Sequence, residues 1–215
     1  MMNRILIRII ALVITISANG QKPTLFIGAT AHIGNGEVIQ NAAISISQGK
    51  FDLIADASII RIDPSAFDTI YKLYGKHIYP SFILPNTTLG ITEIDAVRAS
   101  RDYKETGGVN PNIRSLIAYN TDSKLTKTVR SNGVLIAQVT PRGGLVSGQS
   151  SIMHLDGYNW EDAAIRSNDG IHINWPHSYY NTGWWANPGE IKENKKYDNK
   201  ISELEKLFSK AKSYE

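Results

Sequence analysis

His154, His172 and His177 carry the imidazoles that a metal site in the second half of the chain would draw on. His172 and His177 are five apart, which does not stack them on one helix face, and Pro176 rules out a regular helix there. The same spacing fits ordinary hydrogen-bonded or surface histidines. Gly143 to Ser151 is glycine-rich enough to cradle a phosphate, but it lacks the Gly-Lys-Ser/Thr ending of a P-loop and precedes no clear long helix. Ser147 and Ser150 have no evident base and orienting acid, so a nucleophilic triad is not supported. Glu93, Asp95 and Asp102 are carboxylates near a helix start, where acids cap the helix or stay on the surface. Trp160, Trp175, Trp184 and Trp185, with Tyr179 and Tyr180, form an aromatic-rich stretch suited to stacking on sugars, anchoring a partner, or packing a core and its loops. Asn86-Thr87-Thr88 matches an N-glycosylation acceptor.

Met1 to Arg4 is a short basic start, Ile9 to Ile16 an apolar run, and Ser17-Ala18-Asn19-Gly20 a small-residue site for cutting after Gly20. This is the three-part pattern of a secretory signal peptide over residues 1–20, and it implies an exported protein, periplasmic or extracellular. A buried first strand or an uncleaved anchor is the alternative. The run is too short to span a bilayer, which takes about 20 residues, so no stable membrane span is expected once the signal is removed. Losing Arg4 and Arg8 changes the balance from 23 basic and 20 acidic side chains to 21 and 20. That near-neutral chain, with Lys192 to Lys200 interspersed with Glu, Asp and Asn, has no nucleic-acid footprint. With no cysteine, stability rests on core burial rather than disulfides.

The elements that must position these residues fall into two styles. Leu25-Phe26-Ile27, Val38 to Ser47 and Phe51 to Ala55 read as strands, joined by turns at Gly34-Asn35-Gly36 and Gln48-Gly49-Lys50. This β-meander must cover its apolar face. Ser81 to Leu84 reads as a strand buried on both faces and ended by Pro85. Strands are then expected at Ile113 to Tyr119, Val134 to Val139, Ser151 to Leu155 and Ile171 to Asn174. Helical segments are expected at Ser123 to Arg130, with Ser123 as N-cap and Gly133 as stop, and at Trp160 to Arg166. Ile201, Leu204, Leu207, Phe208, Ala211 and Tyr214 recur at helical spacing, an apolar stripe that expects a partner surface. The order of elements indicates a composite α/β protein.

Gly75 to Ile83 resembles the junction of the amidohydrolase superfamily at which a small β-domain hands over to the first strand of a (β/α)8 barrel. Val129 to Val139, Gly143 to Ser151 and Ile171 to Pro176 together resemble its imidazolonepropionase-like branch. The resemblance implies an N-terminal β-sandwich-like domain over 21–80. It also implies the first part of an incomplete (β/α)8 TIM-type barrel over 81–215, with the Gly143 to Ser151 loop at the barrel mouth. Members place Asp-x-His-x-His after the first barrel strand; the imidazoles hold a divalent metal, commonly zinc, whose bound water attacks a non-peptide C–N bond. Here Leu84 stands at the Asp position and Asn86 and Thr88 at the His positions. Amide and hydroxyl oxygens are poor zinc ligands, and the resemblance implies that the later ligands are lacking as well. The implied protein is amidohydrolase-like, expected to hold no cofactor in this chain and to be inactive alone. Its alternatives are a non-catalytic exported binding or assembly subunit and the truncated half of a split amidohydrolase. Either a C-terminal half or self-association is the expected partner.

Overall fold

The computed structural model describes residues 22–214, so the signal-peptide reading lies outside the described residues. The chain divides into two compact units, Met1–Pro80 and Ser81–Glu215. Among the described residues no helix is long and apolar enough to cross a membrane.

The first unit is one five-stranded sheet. Strands β1 (Thr24–His32), β2 (Val38–Ser47) and β3 (Lys50–Asp56) run antiparallel as a meander, with the turn at Gln48-Gly49. Strands β4 (Thr69–Lys72) and β5 (His77–Ile78) both pair with β1 in parallel, one after the other along its far edge. The β-sandwich-like reading is therefore corrected to a single sheet. Ala31, Ala42 and Ile44 form its buried cluster, with Phe26, Ile33, Ile39 and Ile78 packed around them. Gly28 is an extra residue in β1 opposite the Ala43–Ala42 step. Its φ is +88°, and any Cβ there would run into the Tyr74 ring, so the bulge requires glycine.

The second unit is built on a four-stranded sheet in the order β6-β7-β8-β9: Phe82–Thr87, Val134–Val139, Val146–His154 and Ala164–Ile173. Strand β6 pairs with β7 in parallel, and the remaining pairs are antiparallel. Helices are α1 (Lys124–Ser131), α2 (Trp160–Ala163) and α3 (Tyr197–Lys212). A hairpin, β10 (Tyr179–Asn181) with β11 (Ile191–Glu193), lies between β9 and α3.

This overturns the (β/α)8 TIM-type barrel. A barrel needs parallel strands, each pair joined by a crossover long enough for a helix. The β6-to-β7 connection meets that condition and carries α1. The chain from Val139 to Val146 is a short loop turning on Gly143 and Gly144, so β8 returns antiparallel. The short Asp156-to-Ala163 link, with α2, returns β9 the same way. Two local readings change with it. Ile113 to Tyr119 is not a strand but contains a 3-10 turn, Ser115–Ala118. Trp160 to Arg166 is one helical turn leading straight into β9.

The core of this unit is Ile91, Leu116, Tyr119, Ala137, Val139, Met153, Leu155 and Ala163. Strand β6 is an edge strand, and Phe82 and Ile83 are 70% and 63% exposed rather than covered on both faces. In α3, Leu204 is buried, Ile201 and Leu207 are half-buried and Phe208 is exposed, as is Tyr214 just past the helix end.

Candidate functional site

The three positions matched to the family's metal motif do not share one face. A regular strand would place residues 84, 86 and 88 on the same side. Strand β6 instead carries an extra residue, because Leu84 pairs with Ala137 while Thr87 pairs with Val139. The bulge falls at Pro85-Asn86. Pro85 cannot donate a ladder hydrogen bond, and Asn86 takes a φ of +49°, a left-handed conformation that Asn tolerates better than most residues. Leu84 accordingly packs against the core, and Asn86 is redirected. Thr88 lies past the strand, where its carbonyl accepts from the Ile91 amide at 3.1 Å and closes the turn through Gly90.

What Asn86 meets is a guanidinium. Arg142 Nη1 donates to Asn86 Oδ1 at 2.5 Å and Nη2 to the Asn86 carbonyl at 2.6 Å. The Asn86 amide donates to Gln138 Oε1 at 3.1 Å, and Gln138 Nε2 donates to Asp169 Oδ2 at 2.6 Å. Asp169 also faces Arg166 at 3.4 Å. Asp169 reaches over the sheet because β9 bulges: Ser150 pairs with Gly170 but Ile152 with Arg166, leaving extra residues on β9 between those pairs. His172, opposite Gly148, lies within the influence of the same charges. Burial and then the Arg142 charge hold its imidazole below the usual histidine range, and Asp169 opposes them in part. The result is a polar network, Asn86–Arg142 and Asn86–Gln138–Asp169–Arg166, at the carboxyl ends of β6 and β7.

This donor set does not fit a divalent metal. Asn86 Oδ1 and its carbonyl, the oxygens a cation would use, already accept from a fixed positive charge, which would repel a cation nearby. Among the described residues no group of three or more His, Cys, Asp or Glu side chains converges as a metal site.

The other candidates separate. Ser150 Oγ donates to the Gly170 carbonyl at 3.3 Å and Ser151 Oγ to the Ser167 carbonyl at 2.7 Å; Ser147 Oγ accepts from Asn174 Nδ2 at 2.8 Å. All three serines are buried; Ser150 and Ser151 brace backbone and Ser147 holds the Asn174 side chain, rather than attacking a substrate. The Gly143 to Ser151 segment is a turn followed by strand β8 and no helix, which leaves no P-loop geometry. Glu93 accepts from Asn120 Nδ2 at 3.1 Å and from Ser123 Oγ at 3.0 Å, tying down the start of α1. Ser123 is the α1 N-cap residue, but its hydroxyl is engaged there instead of on the helix amides. Asp95 is exposed, and Asp102 lines a recess of about 410 Å³ with Tyr103, Lys104 and Arg114, apart from Asn86. His154 and His177 join no cluster with His172, and the His177 carbonyl accepts from Asn194. Trp160 packs on the core, whereas Trp175, Trp184, Trp185, Tyr179 and Tyr180 are exposed. Sequence reading missed Arg142, Gln138 and Asp169. Arg142 is 56 residues from Asn86, and no local pattern marks the pair.

No family model and no curated protein matches the chain. The fold is similar to the crystal structure of an amidohydrolase from Thermotoga maritima MSB8, with a TM-score of 0.64 and 22% identity. The match covers 72% of this chain and 39% of that one, so the chain spans about two fifths of that protein's length. At this identity the likeness carries the fold alone: the chain has an amidohydrolase-like fold.

Proposed function

We propose that this is an exported, amidohydrolase-like protein, related to the imidazolonepropionase-like hydrolases of non-peptide C–N bonds but not a metal-dependent hydrolase by itself. The observation that carries the reading is the Arg142 clamp on Asn86. Where the family motif would present two imidazoles, this chain presents an amide already bonded to a guanidinium and, after a bulge, a threonine in a turn. Neither is a good zinc ligand, and the positive charge of Arg142 disfavours a second cation. The chain then acts as a binding or assembly subunit on a scaffold of hydrolase descent, since activity resides in the site and not in the fold.

The test starts from protein recovered from the exported fraction, whose N-terminal sequence is expected to begin near Gln21. After mild dialysis, elemental analysis is expected to find well below one zinc per chain, with no hydrolysis of cyclic or acyclic amide substrates when zinc is added. Asn86→His with Thr88→His is expected to bind zinc weakly at most while Arg142 remains. Stoichiometric zinc retained by the unaltered chain, lost on changing Asn86, would overturn the reading.

A further inference from the structure

In the first unit, and independent of the Arg142 network, His32 and His77 meet at the end of the β1–β5 pairing. Thr30 pairs with His77 and Ala31 with Ile78, so His32 stands one residue beyond, level with Tyr79. His32 Nε2 and His77 Nδ1 are 3.0 Å apart. The ring centroids are 5.3 Å apart, so the imidazoles point nitrogen to nitrogen rather than overlapping face to face. Tyr79 stacks on His32 with centroids 4.2 Å apart and planes 9° from parallel. His77 and Tyr79 are exposed and His32 is half-exposed, so the pair is open to solvent.

The geometry points to a surface site for a divalent transition-metal ion of tetragonal preference, Cu(II) before Ni(II), held by His32 Nε2 and His77 Nδ1. Metal–imidazole bonds of about 2.0–2.1 Å set at roughly a right angle put two nitrogens about 3 Å apart. That is the separation the two rings already have. A wider, tetrahedral angle would need the nitrogens to move apart, and copper stands at the top of the affinity order for nitrogen sites. In the hydrogen-bonded pair one N–H lies between the nitrogens. Binding takes the donor ring in its other tautomer: solvent removes the proton from the coordinating nitrogen and returns one to that ring's second nitrogen, so both ligands stay neutral imidazoles, and each ring swings within its own plane to aim its lone pair at the ion. The Tyr79 stack permits an in-plane swing while holding the His32 ring from turning over. Water fills the remaining cis and outer positions, so affinity in the micromolar range is expected from two protein ligands.

The experiment is a Cu(II) titration of the purified full chain at pH 7.5 in a non-coordinating buffer, followed by calorimetry and electron paramagnetic resonance. One Cu(II) per chain with a two-nitrogen signal is expected. His32→Gln and His77→Gln should each weaken binding by more than about tenfold, the minimum for losing a ligand where outer partners alone cost that much. His177→Gln, a histidine in the second unit, should leave it unchanged. Tyr79→Phe keeps the stack and the binding, and Tyr79→Ala weakens it. If a histidine variant melts early, pulsed electron paramagnetic resonance of the copper-loaded unaltered chain decides instead, because two coordinated imidazoles give combination lines that one does not. Binding that survives the double His32→Gln/His77→Gln change, a spectrum without two coordinated imidazoles, or no binding at all would overturn the site. None of these results bears on the zinc test at Asn86, so the two readings fail separately.

Discussion

At the level of single residues, Asn86 and Arg142 form a unit rather than two independent side chains. A fork of two short, charge-assisted bonds fixes a residue in left-handed backbone geometry. Arg142→Met and Asn86→Ala are each expected to cost about 1–3 kcal/mol, and the double variant less than their sum by about 1 kcal/mol or more. Denaturant melts of the four proteins measure this, and strict additivity would mean that the bonds contribute little in solution. His172 supplies a pH dependence. Its folded-state value lies below the ordinary 6.5. Between the two values the unfolded chain binds more protons, so stability is present above the unfolded value and is lost as pH falls from there through the folded value. The melting temperature is expected to drop on acidification below about pH 6.5, and His172→Asn to flatten that slope. An unchanged slope would show that other groups set it.

Elements show where a sequence speaks clearly and where it does not. Val134 to Val139 is legible as a strand because a β-branched apolar run leaves little choice, and the tail helix because its stripe keeps a helical period. The Gln48-Gly49 turn is legible because it separates two apolar runs at hairpin spacing. The direction of β8 is not: a strand reads the same parallel or antiparallel, and only the short Gly143-Gly144 return decides it. Bulges at Gly28, at Pro85-Asn86 and between Arg166 and Gly170 are equally silent, since each adds residues without breaking the composition of a strand. Those bulges place Asn86 and Asp169, so the network they build was invisible even though every residue in it was in view. One glycine is more explicit. Gly90 sits at φ +79° in the turn after β6, and a Cβ there would enter the Tyr119 ring, itself part of the core. Gly90→Ala is expected to cost more than about 2 kcal/mol through strain and overpacking together, read as a fall in the denaturation midpoint. A loss of a few tenths would mean that the turn relaxes freely.

For the whole molecule, the division at Pro80 gives two units with unequal resources. Among the described residues the first buries Leu25, Ala29, Ala31, Ala42, Ala43 and Ile44, four of them alanines, and the second buries ten apolar side chains that include Leu116, Tyr119, Met153 and Leu155. The second unit also leaves Phe82, Ile83, Phe208 and Trp185 exposed. Burying one such side chain is worth roughly 1.5–3 kcal/mol. Self-association or capture of a further chain is therefore expected, and light scattering on the mature protein across a concentration series checks it. A monodisperse monomer with a single cooperative melt would remove the need for a partner.

The β6–β7 pairing also sets an order of events. Strand β6 has one neighbour in its sheet, and that neighbour begins only at Val134, with the whole stretch after Thr87 lying between them. The hairpins of the first unit close locally and early, while β6 waits for a distant segment to arrive. During that interval Phe82-Ile83-Leu84 is a bare apolar strand on a growing chain. Holding such a segment is the task of a chaperone, and Pro85, which cannot extend a ladder, limits how far a stray strand can zip along it.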